Sequence, residues 1–521
     1  MATGKQITLI RQLDLDLAML MDQLHSQKSY EDILMIPDQA HQALFLQQLE
    51  SLKQRIDLIE DSDEVMHFFI HHFHDVIDNI QWDQSRFFSH PEVLFQQVLH
   101  TAQRLVKTDS RRPKLRKQHL DAQWNSLADC LNTLEGAQHC TALCTQLLKQ
   151  GENLAKEQWI TESTYRKVKE ALHPWIRDTV QPQTVRSLQD RLNTDPKEYE
   201  QMLKMKMGID LQEMRGWVRE QNDLTRKRVY DLANQLSDTP ITSMIQVRQL
   251  LDEKAGACSS AEEMFERGHS YLERVRKISK EILWSPIDEI CDLTAVPEEL
   301  KDSFPWGGYM DGCPYERPLH GRMFLNETNY TAVTDGWIKI NTVHEAYFGH
   351  HIQFLRINSD PLPETMCRNI KADALVEGTA HRSEHVYESI FPEDPYYPLF
   401  TAYRRHHTSV RVLADLWLRY ENRTIKEVVD LYCRELGFDE KTARGQVLAQ
   451  EQMFGYFTCY CYGLRKIEQF EKELNLKADE MTRLLFDCGQ ISIDSLELFL
   501  RCSEDSRWSI THDFPSLMRF A

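Results

Sequence analysis

The sequence predicts a mainly α fold carrying one small β element, and three observations carry that expectation. Residues 1 to about 280 are dominated by apolar residues at helical spacing, as in YEDILMIPDQAHQALFLQQLESLKQRIDLIE. Glycine, which weakens helices, is scarce there: only seven of the 19 glycines fall within residues 1–300. The composition then shifts at WSPIDEICDLTAVPEELKDSFPWGGYMDGCPYERPLHGRMFLNETNY, where Pro and Gly cluster and the helical period is lost.

Within the first region the basic run KTDSRRPKLRKQH, 107–119, contains Pro113 and reads as a solvated loop between helices. Six glycines then fall within 301–350, and GRMFLN and GWIKIN, short and rich in β-formers, read as two strands flanking a turn. From 363 onward the pattern is helical again, with stops at Gly437 and Gly489. These features divide the chain into a helical scaffold, 1–280, and a catalytic-type region, 281–521, within one continuous structural unit.

The balance of charges narrows the partners. A formal net charge of −19 argues against a nucleic-acid surface or an anionic membrane surface, because phosphates need a field of Lys and Arg. No stretch approaches the length of an apolar membrane span, and MATGKQITLIRQLDLDLAML carries acidic residues where a signal peptide needs an apolar core. Twelve cysteines without a C-x-x-C pair read as free thiols in a reducing compartment. A cytoplasmic protein is the resulting expectation.

The chemistry concentrates in NTVHEAYFGHHIQFLR, 341–356. In the common zinc-hydrolase pattern H-E-x-x-H, two imidazoles four residues apart share a helix face while Glu handles water. Here Phe348 stands four residues after His344, and on a regular helix His351 lies about 10 Å further along the axis while His350 points elsewhere. Gly349 offers the remedy, since a break there can return a following imidazole toward His344. Either His350 or His351 then serves. A third ligand is available in LVEGTAHRSEHVYE, where Glu377, His381 and Glu384 share one face. His381 either adds a ligand or hydrogen-bonds within its helix; as a ligand it would favour iron or a second metal, with redox chemistry.

Two further histidine groups stand out. His67, His71 and His74 have chelating spacing beside an apolar stripe, and more naturally border a buried face. His406 and His407 either line an anion pocket with Arg404, Arg405 and Arg411 or form a solvated helix turn.

Several blocks resemble the bacterial domain-of-unknown-function 885 family, relatives of the zincin-like metallopeptidases. YMDGCPYERPLHGRMFLN is similar to its loop and strand, HEAYFGHHIQ to its H-E-x-x-P-G-H-H-x-Q helix, and EGTAHRSE to its E-G-W-A-x-x-x-E helix. The resemblance implies a helical, zincin-like body of the oligopeptidase and carboxypeptidase Taq type. It further implies a metal held by His344, one of His350 or His351, and Glu377, with Glu345 as general base. Tyr460, or Tyr and His donors within 309–325, would stabilise an oxyanion. Zinc suits such a His/His/carboxylate set better than iron or manganese. Phe348, Thr379, Arg419, Phe454 and Tyr456 depart from the family pattern while the metal-type residues stay, which fits a changed substrate. The expected function is metal-dependent hydrolysis of a peptide or small amide. The alternative is a non-catalytic or redox-repurposed descendant that binds a metal or ligand.

Overall fold

The apolar periodicity of the early sequence folds as helices in the computed structural model. It describes residues 4–25, 39–86, 91–103, 105–106, 113–131, 134, 141–177, 188–254, 256–297, 301, 304, 306–312, 317–359, 362–367 and 371–514. The protein is mainly α with a small three-stranded sheet, and no described helix is long and apolar enough to cross a membrane. The chain forms two compact units: Met1–Arg191 with Pro361–Thr365 and Ser503–Ala521, and Leu192–Asp360 with Met366–Cys502.

The first unit packs helices such as Pro113–Leu131, Thr141–Lys156 and Glu162–Arg177 around fully buried Phe95, Trp124, Leu147 and Val168. Asp14 fastens the returning segment, accepting from the backbone N–H of Glu364 and Thr365 at 2.9 and 3.0 Å. The expected loop at 107–119 is helix from Pro113 onward, with proline at the first helical position, where its missing N–H costs nothing; 107–112 lie outside the described residues. His67 and His74 do not converge but pair with separate acids, Asp61 at 2.7 Å and Asp57 at 3.1 Å.

The second unit holds the sheet and the His-rich segment. Seven of its helices are labelled here: α1 (Leu211–Leu236), α2 (Ala261–Ile282), α3 (Asp335–Asn341), α4 (His350–Ser359), α5 (Asp373–Val386), α6 (Tyr397–Arg419) and α7 (Thr458–Glu473). Residues on both sides of 280 belong to this unit; α2 presents Gly268 to Leu293 and Leu325 so closely that a methyl group there would lie 2.7 Å from Leu293. Gly437 and Gly489 sit at positive φ, as helix stops demand, with φ of 66° and 72°.

The sheet has the order β1 (Ile290–Ala295), β3 (His320–Leu325), β2 (Gly307–Asp311), with β1 parallel and β2 antiparallel to β3. Thus GRMFLN is a strand, but GWIKIN is not. Its β-formers belong to α3, where Ile338 and Ile340 are buried and Lys339 reaches back one turn to Asp335 at 2.5 Å and across to Asp394 at 2.6 Å. Burial and an i,i+4 ion pair outweigh intrinsic strand preference there.

Candidate metal centre

After α3 the backbone widens into a π turn, Thr342–Ala346, that carries His344 and Glu345. Such i→i+5 turns concentrate at functional sites. The helix then breaks: Tyr347 is extended and Phe348 takes a positive φ of 73°. Gly349 is required at the break, because a Cβ there would lie 1.8 Å from the carbonyl oxygen of His344. The left-handed residue is Phe348 rather than the glycine, and its ring stacks on Tyr387 at 3.8 Å between centroids. Helix α4 starts afresh at His350, whose ring centre comes to 5.0 Å from that of His344.

The break decides between the two adjacent histidines. His350 Nε2 faces Glu377 Oε2 at 3.6 Å and Glu345 Oε2 at 3.9 Å. His351 turns to the sheet instead, with Nε2 on Glu289 at 2.9 Å and Nδ1 on the Tyr309 hydroxyl at 3.1 Å. Both nitrogens of His351 are therefore engaged, which leaves His350 as the candidate ligand of the two. Gly321 on β3 makes room for this arrangement, since a Cβ there would collide with Tyr309 Oη and His351 Nδ1.

Glu377 comes from α5, which lies backbone to backbone with α7. A Cβ on Gly378 would stand 2.5 Å from the Gly463 carbonyl carbon, and one on Gly463 would stand 1.8 Å from Ala374 O. This approach brings Tyr456, just before α7, into a hydrogen bond donated to Glu377 Oε1. It also lays the Tyr460 ring on that of His344, 5.9 Å away and inclined by 15°.

The geometry fits a tetrahedral metal ion. Glu377 Oε2 stands 3.2 Å from His344 Nε2 and 3.6 Å from His350 Nε2, and ligand atoms around zinc with bonds of about 2.0–2.1 Å stand about 3.3–3.4 Å apart. One atom each of His344, Glu345 and His350 gather within 4.8 Å of one another. The far side of each imidazole is fixed: His344 Nδ1 donates to Glu384 Oε1 at 2.7 Å and His350 Nδ1 to Gln353 Oε1 at 2.9 Å. That leaves both Nε2 atoms directed at the same carboxylate, the arrangement by which metal-binding histidines are oriented.

Charge follows the same pattern. Burial opposes a charge on His344, yet Glu377 and Glu384 raise its pKa to about 10. Glu377 lies well below the ordinary carboxylate range despite burial, through His350 and His344, and Glu384 does so through His381 and His344. The two acids thus keep a proton on His344 where a cation would otherwise balance them.

The remaining expected residues take other positions. His381 does not turn toward the cluster: its Nδ1 donates to Glu384 Oε2 at 2.9 Å and its Nε2 pairs with Thr408 at 3.0 Å. Glu384 therefore bridges His344 and His381, and it also gathers with His381 and His385 in a second acid–imidazole group. His406 and His407 are buried rather than solvated; His406 is held by Thr225 at 2.9 Å and Glu435 O at 3.1 Å. Arg411 donates to Gln446 Oε1. Arg419 serves the body of the unit, pairing with Asp415 at 3.5 Å and donating to Gln450 O at 2.8 Å. Tyr309 is engaged with His351, His320 is exposed, and 313–316 lie outside the described residues. Sequence reasoning missed Glu289, Gln353 and Tyr456 as partners of the site; only Gln353, in the H-H-x-Q block, had a local signal.

Fold and site define a helical protein with a buried His/His/Glu cluster braced by further carboxylates. The chain belongs to the DUF885 family, described as a bacterial protein of unknown function, which matches residues 8–484. Its fold is similar to that of a "putative lipoprotein of unknown function" from Shewanella oneidensis, at 15% identity and a TM-score of 0.69, over 95% of this chain and 99% of that one. It is likewise similar to a "putative lipoprotein" from Colwellia psychrerythraea, at 15% identity and a TM-score of 0.67, over 95% and 98%. No curated protein matches the chain.

Proposed function

We propose that this protein is a metal-dependent hydrolase of the zincin-like kind, cleaving an amide bond in a peptide or small molecule. The observation supporting it is the convergence of His344 Nε2, His350 Nε2 and Glu377 Oε2 at spacings a tetrahedral ion bridges, with both Nδ1 atoms anchored. Zinc is the metal proposed for this donor set, ahead of iron or manganese. When bound, it would supply Lewis acidity toward water and a carbonyl group.

The chain's own residues supply the rest. Glu345 neighbours His350 without a close hydrogen bond, which frees its carboxylate to take a proton from water and pass it to a leaving amine. Tyr460, whose ring stacks against His344, is the residue proposed to donate a hydrogen bond from its hydroxyl to a developing oxyanion. The acidic net charge favours a small substrate over nucleic acid. Buried free thiols such as Cys144, Cys459, Cys461 and Cys488 fit a reducing compartment such as the cytoplasm, a reading to which the two lipoprotein-like neighbours lend no support.

Elemental analysis of protein purified without chelator is the test, in wild type, His344→Ala and Glu377→Ala. About one zinc per chain, lost in both variants, is the expected result, followed by release of amines from a pool of peptides and amides. A wild type that neither contains nor takes up a divalent metal would overturn the reading in favour of a metal-free binding protein.

A further inference from the structure

One face of α6 carries Arg404, His407 and Arg411, which are only 8%, 1% and 5% exposed. Arg411 directs Nε and Nη2 to a single neutral oxygen, Gln446 Oε1, at 3.2 and 3.1 Å, and the same oxygen faces His407 Nε2 at 3.2 Å. No carboxylate among the described residues lies within ion-pair distance of Arg411, and its guanidinium lies over the face of Phe457, 4.2 Å from the ring centre. Arg404 makes no hydrogen bond among the described residues. Its buried Nε stands 3.9 Å from Glu384 Oε1, and its guanidinium lies 5.4 Å from the centre of the Tyr460 ring.

Buried guanidinium groups ordinarily meet a carboxylate, because removing the charge from water is costly without one. Arg404 partly answers to Glu384, but Glu384 already gives one oxygen to His344 and the other to His381. Arg411 has no such explanation. Burial and the neighbouring Arg404 together lower its pKa to about 10, so the two cations stand close enough to oppose each other. Tyr460 connects this pair to the metal centre, with His344 stacked on its ring and Arg404 over it.

We infer that Arg404 and Arg411 bind a carboxylate carried by the substrate, so that the bond cleaved lies next to a free carboxyl group, as in a C-terminal peptide bond or an N-acyl amino acid. The inference rests on the hydrolase reading for the cleavage, but not for the binding. Guanidinium is suited to this role, since its planar donors match a carboxylate.

The binding test uses pooled N-acetyl amino acids and the matching pooled N-acetyl amino acid amides, followed by ligand-observed NMR on the full chain with and without zinc. The acids are expected to bind at least about tenfold more tightly than the amides. Arg411→Met should erase that preference and Arg411→Lys should restore part of it, with zinc content unchanged in both. Equal binding of acids and amides by wild type, or binding of neither, overturns the inference, and neither result depends on a variant folding. Hydrolysis of the same pools is followed in parallel. A preference for acids without any cleavage would retain the carboxylate site and remove the hydrolase reading; cleavage of acids and amides alike would do the reverse.

Discussion

Glu384 Oε1 accepts the Nδ1 proton of His344 at 2.7 Å, so the orientation of the first imidazole is set from a helix forty residues downstream. The same carboxylate holds His381 with its other oxygen. Replacing Glu384 by Gln keeps the shape and removes the charge. Zinc affinity should fall by about 10–100-fold with the fold retained, as expected for the loss of a group that orients a ligand. Competition with a chromophoric chelator measures this, and unchanged affinity would remove Glu384 from that role.

The adjacent histidines should separate cleanly. His350→Ala is expected to abolish metal binding. His351→Ala should leave metal content intact while costing stability of about 2 kcal/mol, because it strips a hydrogen bond from buried, charged Glu289. Elemental analysis with urea denaturation of both variants decides it, and the reverse pattern would reassign the ligand.

Metal uptake should release protons. In the metal-free protein His344 carries its proton up to about pH 10, and a ligand must shed it. Apparent affinity should therefore rise about tenfold per pH unit from this group as pH approaches about 10 from below, and level off above. Calorimetry at pH 7.5 in buffers of different ionisation enthalpy should report about one proton or more released per ion. No release would mean that His344 is already neutral or not a ligand.

Two glycine substitutions should move stability in opposite directions. Gly349→Ala places a methyl group against the His344 carbonyl, so a loss of about 3 kcal/mol and of metal binding is expected. Gly216→Ala, within α1 with nothing near its added methyl group, should stabilise by roughly 0.5–1 kcal/mol. Denaturant midpoints of the two variants test the pair.

Local spacing made part of this site legible. The His-Glu pair, the glycine before His-His, and the face shared by Glu377, His381 and Glu384 all lie within short segments, so sequence alone could group them. Glu289 and Tyr456 could not be found that way, being separated from their partners by 62 and 79 positions. The π turn leaves no compositional mark, and the choice of His350 over His351 follows from a positive φ at Phe348 that no rule for phenylalanine anticipates. Helical content was readable from periodicity. GWIKIN was misread because its isoleucines respond to burial, whereas the pairing of Asp335 with Lys339 marked the helix.

The contact between Gly378 and Gly463 works as a gauge block. With no side chain between the two backbones, there is no compressible layer whose thickness could drift, and Glu377 and Tyr456 are held at one fixed spacing. A substitution elsewhere on these two helices can then change what surrounds the cluster without changing the separation of the two backbones that carry it.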